Sequence, residues 1–435
     1  MTPTSEARIS FADVGVFFTA QRGTEMAQSI FSYDLSWRRL VVITTLLVCV
    51  NASADEMTTL ADAIGSGKTA LDLRYRFEMV DQTGISNKAM ASTLRTRLNY
   101  TTGSYNKLNA FLEVDNVSVV GSTKYNDATG LPGAKSQYPA VADPAGTEVN
   151  QAYLAYAGLS DTTIKYGRQR LILDNARFIG NVGWRQNEQT YDAVTLVNTS
   201  LPSTTVVYGY VSNVNRIFGE ASAKGNIDTQ AHLINLSYSG MSAGKLSVYG
   251  YLLDLIDTPT VSNKTVGARF NGGTGIDGDT KFLYSLEYAK QSSYKDGAAS
   301  IDAPYTLTEL GTEIHGVTAK LGREKLGGDG AYAFSTPLAT LHAFNGWADM
   351  FLTTPVSGLI DTYMNVSGTY TGVKLMAIYH DFKADSGGAS YGTETDLMAM
   401  KKIGNYSLMT KYASYSADSY ASDTKKLWLM GQASF

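Results

Sequence analysis

Four arginines, Arg168, Arg170, Arg177 and Arg185, fall within eighteen residues of a chain in which only 17% of positions are charged. A guanidinium keeps its proton at any physiological pH, and its planar fork grips a carboxylate through two parallel hydrogen bonds. Such a cluster offers reversible anion binding rather than bond-making. Four more arginines alternate with other residues in two further stretches: Arg74 and Arg76 in Leu73-Arg74-Tyr75-Arg76-Phe77-Glu78, and Arg95 and Arg97 in Thr93-Leu94-Arg95-Thr96-Arg97-Leu98. Groups suited to catalysis are sparse. The histidines His232, His315, His342 and His380 are not spaced as a metal pair, and there is no G-x-S-x-G and no compact Ser/His grouping. Gly65-Ser66-Gly67-Lys68-Thr69 imitates a phosphate loop, but that pattern requires glycine where Asp62 stands. The reading is of a protein that is not an enzyme, with no catalytic residue, no metal site and no cofactor.

The elements that position these arginines repeat every two residues. Leu71, Leu73, Tyr75 and Phe77 share one face while Asp72, Arg74, Arg76 and Glu78 share the other, as strands require. The same alternation marks 93–100, 108–115, 205–212, 233–239, 245–254, 281–291, 373–383 and 427–435. Tyrosine is abundant, at 28 residues, and Tyr100, Tyr105, Tyr208, Tyr210, Tyr249, Tyr251, Tyr284 and Tyr288 cluster near strand ends, as in the aromatic girdles of membrane barrels. Short turns alternate with long polar loops, of which 118–147 is one. A mean hydropathy of −0.12 fits apolar residues hidden in alternation rather than in blocks. A net charge of −4 gives no overall basic field for nucleic acid, and one cysteine makes no internal disulfide.

The one long apolar run, 40–50, has Arg38 and Arg39 before it and Ala52-Ser53-Ala54 after it, the order of a secretory signal. Residues 1–54 are read as an N-terminal extension and signal peptide cleaved after Ala54, with Met26 as an alternative start. Residues 55–435 are read as a single transmembrane β-barrel. At roughly 20–24 residues per strand with its share of loop, that length holds about 16–18 antiparallel strands. Eighteen are favoured, with 332–358 the stretch hardest to assign. The fold class is all-β, of the bacterial outer-membrane type, and the terminal strand ending on Phe435 is expected to engage the barrel assembly machinery.

Two blocks carry a family resemblance. One is Gly167-Arg168-Gln169, Arg177-Phe178-x-Gly180 and Trp184-Arg185-Gln186-x-x-Gln189-x-Tyr191-Asp192; the other runs from Thr336 through His342 and Asn345-Gly346-Trp347 to Asp349, followed by Gly358 and Asp361. With these the chain resembles the alginate-export-type outer-membrane porins over about residues 60–435. The resemblance implies an 18-stranded barrel with a basic lumen that passes a polyuronate outward.

If the polar strand faces line the pore, Arg74, Arg76, Arg95 and Arg97 point inward, interleaved with Asp72, Glu78, Glu113 and Asp115. With Arg168, Arg170, Arg177, Arg185 and Asp192, and with a region near 174–190 folded inward, they form the candidate solute path. The expected function is an anion channel in the outer membrane that passes anionic or sugar-like solutes, among them an acidic polysaccharide such as alginate. An uptake porin for small organic acids or aromatic compounds is the alternative, and a barrel hydrolase the alternative of another class. The expected partners are outer-membrane lipid, lipopolysaccharide and the solute.

Overall fold

The period-two stretches fold as strands in the computed structural model, which describes residues 57–435. The segment read as a signal, with Met26, Cys49 and the expected cleavage after Ala54, lies outside the described residues. A one-turn helix, α1 (Leu60–Gly65), precedes the sheet, capped by Thr59, whose hydroxyl accepts from the Asp62 amide. The strands follow in order: β1 (Lys68–Gln82), β2 (Ala89–Thr101), β3 (Leu108–Lys124), β4 (Gly146–Leu159), β5 (Thr162–Gln169), β6 (Thr190–Asn198), β7 (Thr204–Asn215), β8 (Asn226–Met241) and β9 (Gly244–Leu253). The second half holds β10 (Asn263–Gly275), β11 (Thr280–Ser293), β12 (Asp302–Ile314), β13 (Val317–Leu326), β14 (Leu359–Tyr370), β15 (Val373–Lys383), β16 (Ser390–Ile403), β17 (Tyr406–Ala417) and β18 (Thr424–Ser434).

Each strand pairs antiparallel with its neighbours in sequence, and β1 also pairs with β18, so the 18-stranded sheet closes on itself and has no edge. Closure is what a lipid environment demands, because no backbone donor or acceptor is then left without a partner in the bilayer. The stretch 332–358 contributes no strand, and eighteen is reached without it.

Burial is inverted relative to a water-soluble protein. Leu98, Leu112, Leu154, Val266, Leu286 and Leu321 stand on the outside, whereas Arg76, Glu78, Arg97, Glu113 and Asp115 are buried inside. One slip of register would carry Arg74, Arg76, Arg95 and Arg97 into lipid, so the alternation fixes the pairing. Tyr208 and Tyr288 face outward as expected of a girdle, but Tyr249 and Tyr251 point into the barrel, each 2% exposed.

The two ends of the barrel differ. At one end, two-residue turns join strands, as at 160–161, 242–243, 315–316 and 371–372. Thr371 and Gly372 both take positive φ, the geometry of the tight hairpin turn that matches strand twist. At the other end lie the loops 125–145, 170–189 and 327–358. That asymmetry marks the long-loop end as the outer one. These loops turn back into the barrel, and the largest apolar cluster forms where they meet the wall: Phe178 of loop 170–189 packs against Tyr249, Tyr251, Tyr305 and Phe334.

Candidate functional site

The wall of β1–β3 presents the strand arginines in register, with Arg74 directly opposite Arg95. Two such cations side by side are tolerable only with anionic or carbonyl partners. Arg95 takes Asp72. Arg97 lays its fork on Asp115, Nε to Oδ1 and Nη2 to Oδ2, both at 2.6 Å, with Glu188 at 3.2 Å. Arg74 and Arg76 instead reach the loop. Arg74 donates to Gln186 Oε1 and to the Gly183 carbonyl, each at 3.0 Å, and to the Arg185 carbonyl. Arg76 donates to Asp143 of loop 125–145 at 3.3 Å and to the Trp184 carbonyl, and its guanidinium lies 4.3 Å from the Trp184 ring centre.

Loop 170–189 answers with its own charges. Arg185 grips Glu78 of β1 through both nitrogens, at 2.9 and 3.3 Å. Arg170 bonds Glu188 Oε2 at 2.8 Å and lies 3.3 Å from Glu113. Burial pushes the Glu188 carboxyl up, but Arg170 and Arg97 outweigh it and hold the group below the usual carboxylate range. Burial likewise opposes the charge of Arg185, and Glu78, Asp143 and Asp349 more than restore it. Arg168, at the end of β5, pairs with Asp192 at 2.9 Å and Glu220 at 2.8 Å.

A second wall, β13–β17, separated from β1 by β18 alone, carries carboxylates, and here loop residues bring the donors. Arg177 donates through Nε to Glu324 at 2.7 Å and through Nη2 to Asn345 Oδ1 at 2.9 Å. Asn345 in turn donates to Glu324 at 2.6 Å and to Asp361 at 3.2 Å. The Trp347 and Ala348 amides donate to Asp396 and Glu394. Gly346, just before them, has φ +86°, and a Cβ there would collide with the Glu394 carboxylate, so this approach of backbone to wall needs glycine. Gly167 of β5 is the second such position, with φ +126° and the Ala152 carbonyl where a Cβ would sit.

His342, on a single 3₁₀ turn (Leu341–Ala343) of loop 327–358, joins the two walls. Its Nδ1 lies 2.7 Å from Asp349, its Nε2 receives Lys411 of β17 at 2.8 Å, and its ring stacks on Trp184 at 4.3 Å. Burial and the Lys411 charge hold the imidazole well below its usual pKa, in the neutral form that this donor arrangement requires. Burial raises Asp349, but Lys426, His342 and Arg185 bring its carboxyl below the usual range. Trp347, Trp184 and Trp428 surround the Lys411 ammonium, with ring centres at 3.5, 4.2 and 5.5 Å.

The anticipated residues are therefore inside the barrel, in three groups. Arg74, Arg76, Arg95, Arg97, Glu113, Arg170 and Arg185 meet around loop 170–189. Arg177 stands apart on the carboxylate wall, and Arg168 with Asp192 sits beside loop 216–225. Arg177 and Arg185 are 2% and 7% exposed and fully paired, so they staple loops to walls rather than line an open lumen.

Sequence reasoning missed Asp143, Glu188, Glu324, Asn345 and Lys411. Lys411 shares one strand face with Met409 and Ala413, so a lone lysine on an inward face was the available signal. His380 pairs with Asp361 at 2.9 Å and faces Asp396 at 3.7 Å. Neither His342 nor His380 offers its second nitrogen to a hydroxyl. Among the described residues no group of three or more His, Cys, Asp or Glu is placed to hold a metal ion.

Two cavities flank the plug. The outer one, about 350 Å³, lies among loops 125–145, 170–189, 216–225 and 327–358. The inner one, about 260 Å³, lies beneath Leu173 and Asp174, lined by Asn235, Ser237 and Lys245.

A family model described as alginate export matches residues 67–322. No curated protein matches the chain. Among solved structures, Pseudomonas aeruginosa OccK9 (OpdG) superposes with a TM-score of 0.68 at 13% identity, covering 86% of this chain and 99% of that one. Acinetobacter baumannii OccAB4 gives 0.68 at 15% identity, covering 85% and 98%. P. aeruginosa OpdK with vanillate gives 0.65 at 16% identity, covering 86% and 99%. At these identities the likeness is one of fold.

Proposed function

Starting from the fact that this chain belongs to the alginate-export family of outer-membrane porins, we propose that it is a selective channel for small anionic organic solutes. The observation that carries this reading is the double plug. Loops 170–189 and 327–358 are fixed inside the barrel by buried ion pairs, and the spaces left on either side, about 350 and 260 Å³, suit one small molecule each. Eighteen strands alone would enclose an aqueous lumen; the staples narrow it.

Anion preference is supported by Arg74 of β1, which lies opposite Arg95 and whose own hydrogen-bond partners are the neutral oxygens of Gly183, Arg185 and Gln186. In this setting Arg74, Arg76, Arg95, Arg97, Glu113 and Asp192 tune the field through the plug, while Arg177 and Arg185 position the loops. OpdK, similar in fold, is recorded with vanillate, an aromatic monocarboxylate, which is consistent in size.

Reversal potentials of the purified protein in planar bilayers under a salt gradient test the charge claim. Anion preference is expected, and cation preference contradicts it. The second reading, export of a polyuronate, is favoured by the family description. It requires both loops to leave the lumen, and so predicts that long oligouronates pass as fast as the monomer.

A further inference from the structure

We infer that the outer cavity is a capture site for a monocarboxylate carried on a compact apolar body, with Arg216 as its anion-binding group. The inference deepens the channel reading and rests on it. Arg216 belongs to no motif noted in the sequence. It opens loop 216–225 and borders the cavity together with Arg185 and Lys426. The other two cations are spoken for. Arg185 is held by Glu78, and Lys426 lies 2.7 Å from Asp349. Arg216 has no carboxylate partner among the described residues, and its guanidinium sits 5.0 Å from the centre of the Phe218 ring. Burial draws its pKa down and no neighbouring carboxylate draws it back, yet a guanidinium remains a cation there. One unmatched positive charge calls for one negative charge.

The rest of the wall decides what carries that charge. Val182, Ile217, Phe218, Leu341, Met350 and Leu352 make most of the wall apolar; Gln82 and Thr353 also border it, and its other polar groups are engaged, His342 and Asp349 with each other and with Lys411 and Lys426, and Gln189 with the Gly180 carbonyl. A hydrocarbon body gains from that contact, whereas a sugar would leave most of its hydroxyls desolvated against it. The site is also held in shape before any solute arrives. The Arg216 amide donates to the Gly225 carbonyl at 2.7 Å, Ser222 Oγ donates to the Thr129 carbonyl at 2.6 Å, and Asn187 donates to the Ile217 carbonyl at 3.3 Å. Loop 216–225 is thereby tied to loops 125–145 and 170–189, which lowers the cost of ordering Arg216 around a ligand.

Benzoate is the probe. Its binding to the folded barrel in nanodiscs, read by titration calorimetry, is expected to weaken about tenfold in Arg216→Gln and less in Phe218→Ala, the loss of one charged hydrogen-bonded partner being of that size. Glucuronate, of the same charge, is expected to bind at least about tenfold more weakly than benzoate to the wild type. Heat-modifiable migration on gels verifies that each variant is folded. Equal benzoate affinity in wild type and Arg216→Gln, or no benzoate binding by the wild type, overturns the capture site. If the wild type is anion-selective in bilayers but binds no benzoate, the site falls and the channel reading stands. If benzoate binds through Arg216 but the protein passes no anion, the channel reading falls and the site stands.

Discussion

The wall of β1–β3 and the wall of β13–β17 solve the same problem with opposite charges. On the first, Arg74, Arg76 and Arg97 of the sheet take acceptors from the loops, the carbonyls of Gly183, Trp184 and Arg185 and the carboxylates of Asp143 and Glu188, while Arg185 and Arg170 of the loop return to Glu78 and Glu113. On the second, the sheet supplies Glu324, Asp361, Glu394 and Asp396, and the loops supply Arg177, Asn345 and two backbone amides. The leftover atoms have opposite character as well. Arg76 Nε and Arg95 Nε lack partners on one side, and Glu394 Oε2 and Asp396 Oδ1 lack them on the other. The comparison teaches that an arginine count does not make a basic pore. Most of these charges are consumed in fixing the loops, whereas Arg216 has no carboxylate partner among the described residues.

The largest effect is expected from cutting the staple on each wall at once. Arg177→Ala with Arg185→Ala leaves Glu324 and Glu78 buried without their partners, a loss of about 3–5 kcal/mol at each site. Both loops should release, and single-channel conductance should rise severalfold while β-content by circular dichroism is unchanged. Unaltered conductance would mean the loops hold by other means. Next in size is Glu188→Gln, which removes the charge shared by Arg97 and Arg170. On the order of 2 kcal/mol of loop stability should be lost. Anion selectivity should increase on the cationic wall, and the same change at Glu324 should leave the cationic wall's contribution untouched.

A smaller, pH-dependent effect isolates the junction at His342. Its pKa is lowered in the folded state, so the released loop binds a proton that the docked loop does not. Stability of docking therefore falls as pH drops below the ordinary histidine value near 6.5, by at most about 1.4 kcal/mol per unit. Asp349 and Glu188, whose carboxyls are held low, keep their contribution at neutral pH and lose it only in more acid solution. Conductance should thus rise between pH 7 and 5, and His342→Phe should flatten the rise. The smallest effect is expected outside both walls: the exposed pair Lys88–Asp81 at the rim, 2.7 Å apart, should change thermal stability by less than about 1 kcal/mol when Asp81 becomes Asn.

Strand alternation was legible because it is enforced residue by residue. Arg74, Arg76, Arg95 and Arg97 face inward for the same reason that Leu73, Tyr75 and Leu98 face lipid, and any eight-residue window displays it. The 18-strand closure followed from length and the porin resemblance. The loops were not legible. No period marks 170–189 or 327–358, and the partners of Arg177 lie 147 and 168 residues away, at Glu324 and Asn345. Long-range pairing of that kind leaves no local trace, so paired staples and free cations look alike in sequence. The inward Tyr249 and Tyr251 show the same limit, since an aromatic near a strand end serves a girdle or a loop-binding wall equally well. Arg216 carries no motif, and only the absence of a carboxylate beside it sets it apart.

The stapled loops are expected to admit small anions and exclude chains. Proteoliposome swelling with a size series from benzoate through mono-, di- and hexauronate tests it most directly. Rapid entry of benzoate, a steep fall before the hexauronate, and recovery of hexauronate entry in the Arg177→Ala, Arg185→Ala double variant are the predicted results. Wild-type entry of hexauronate as fast as the monomer would contradict the claim.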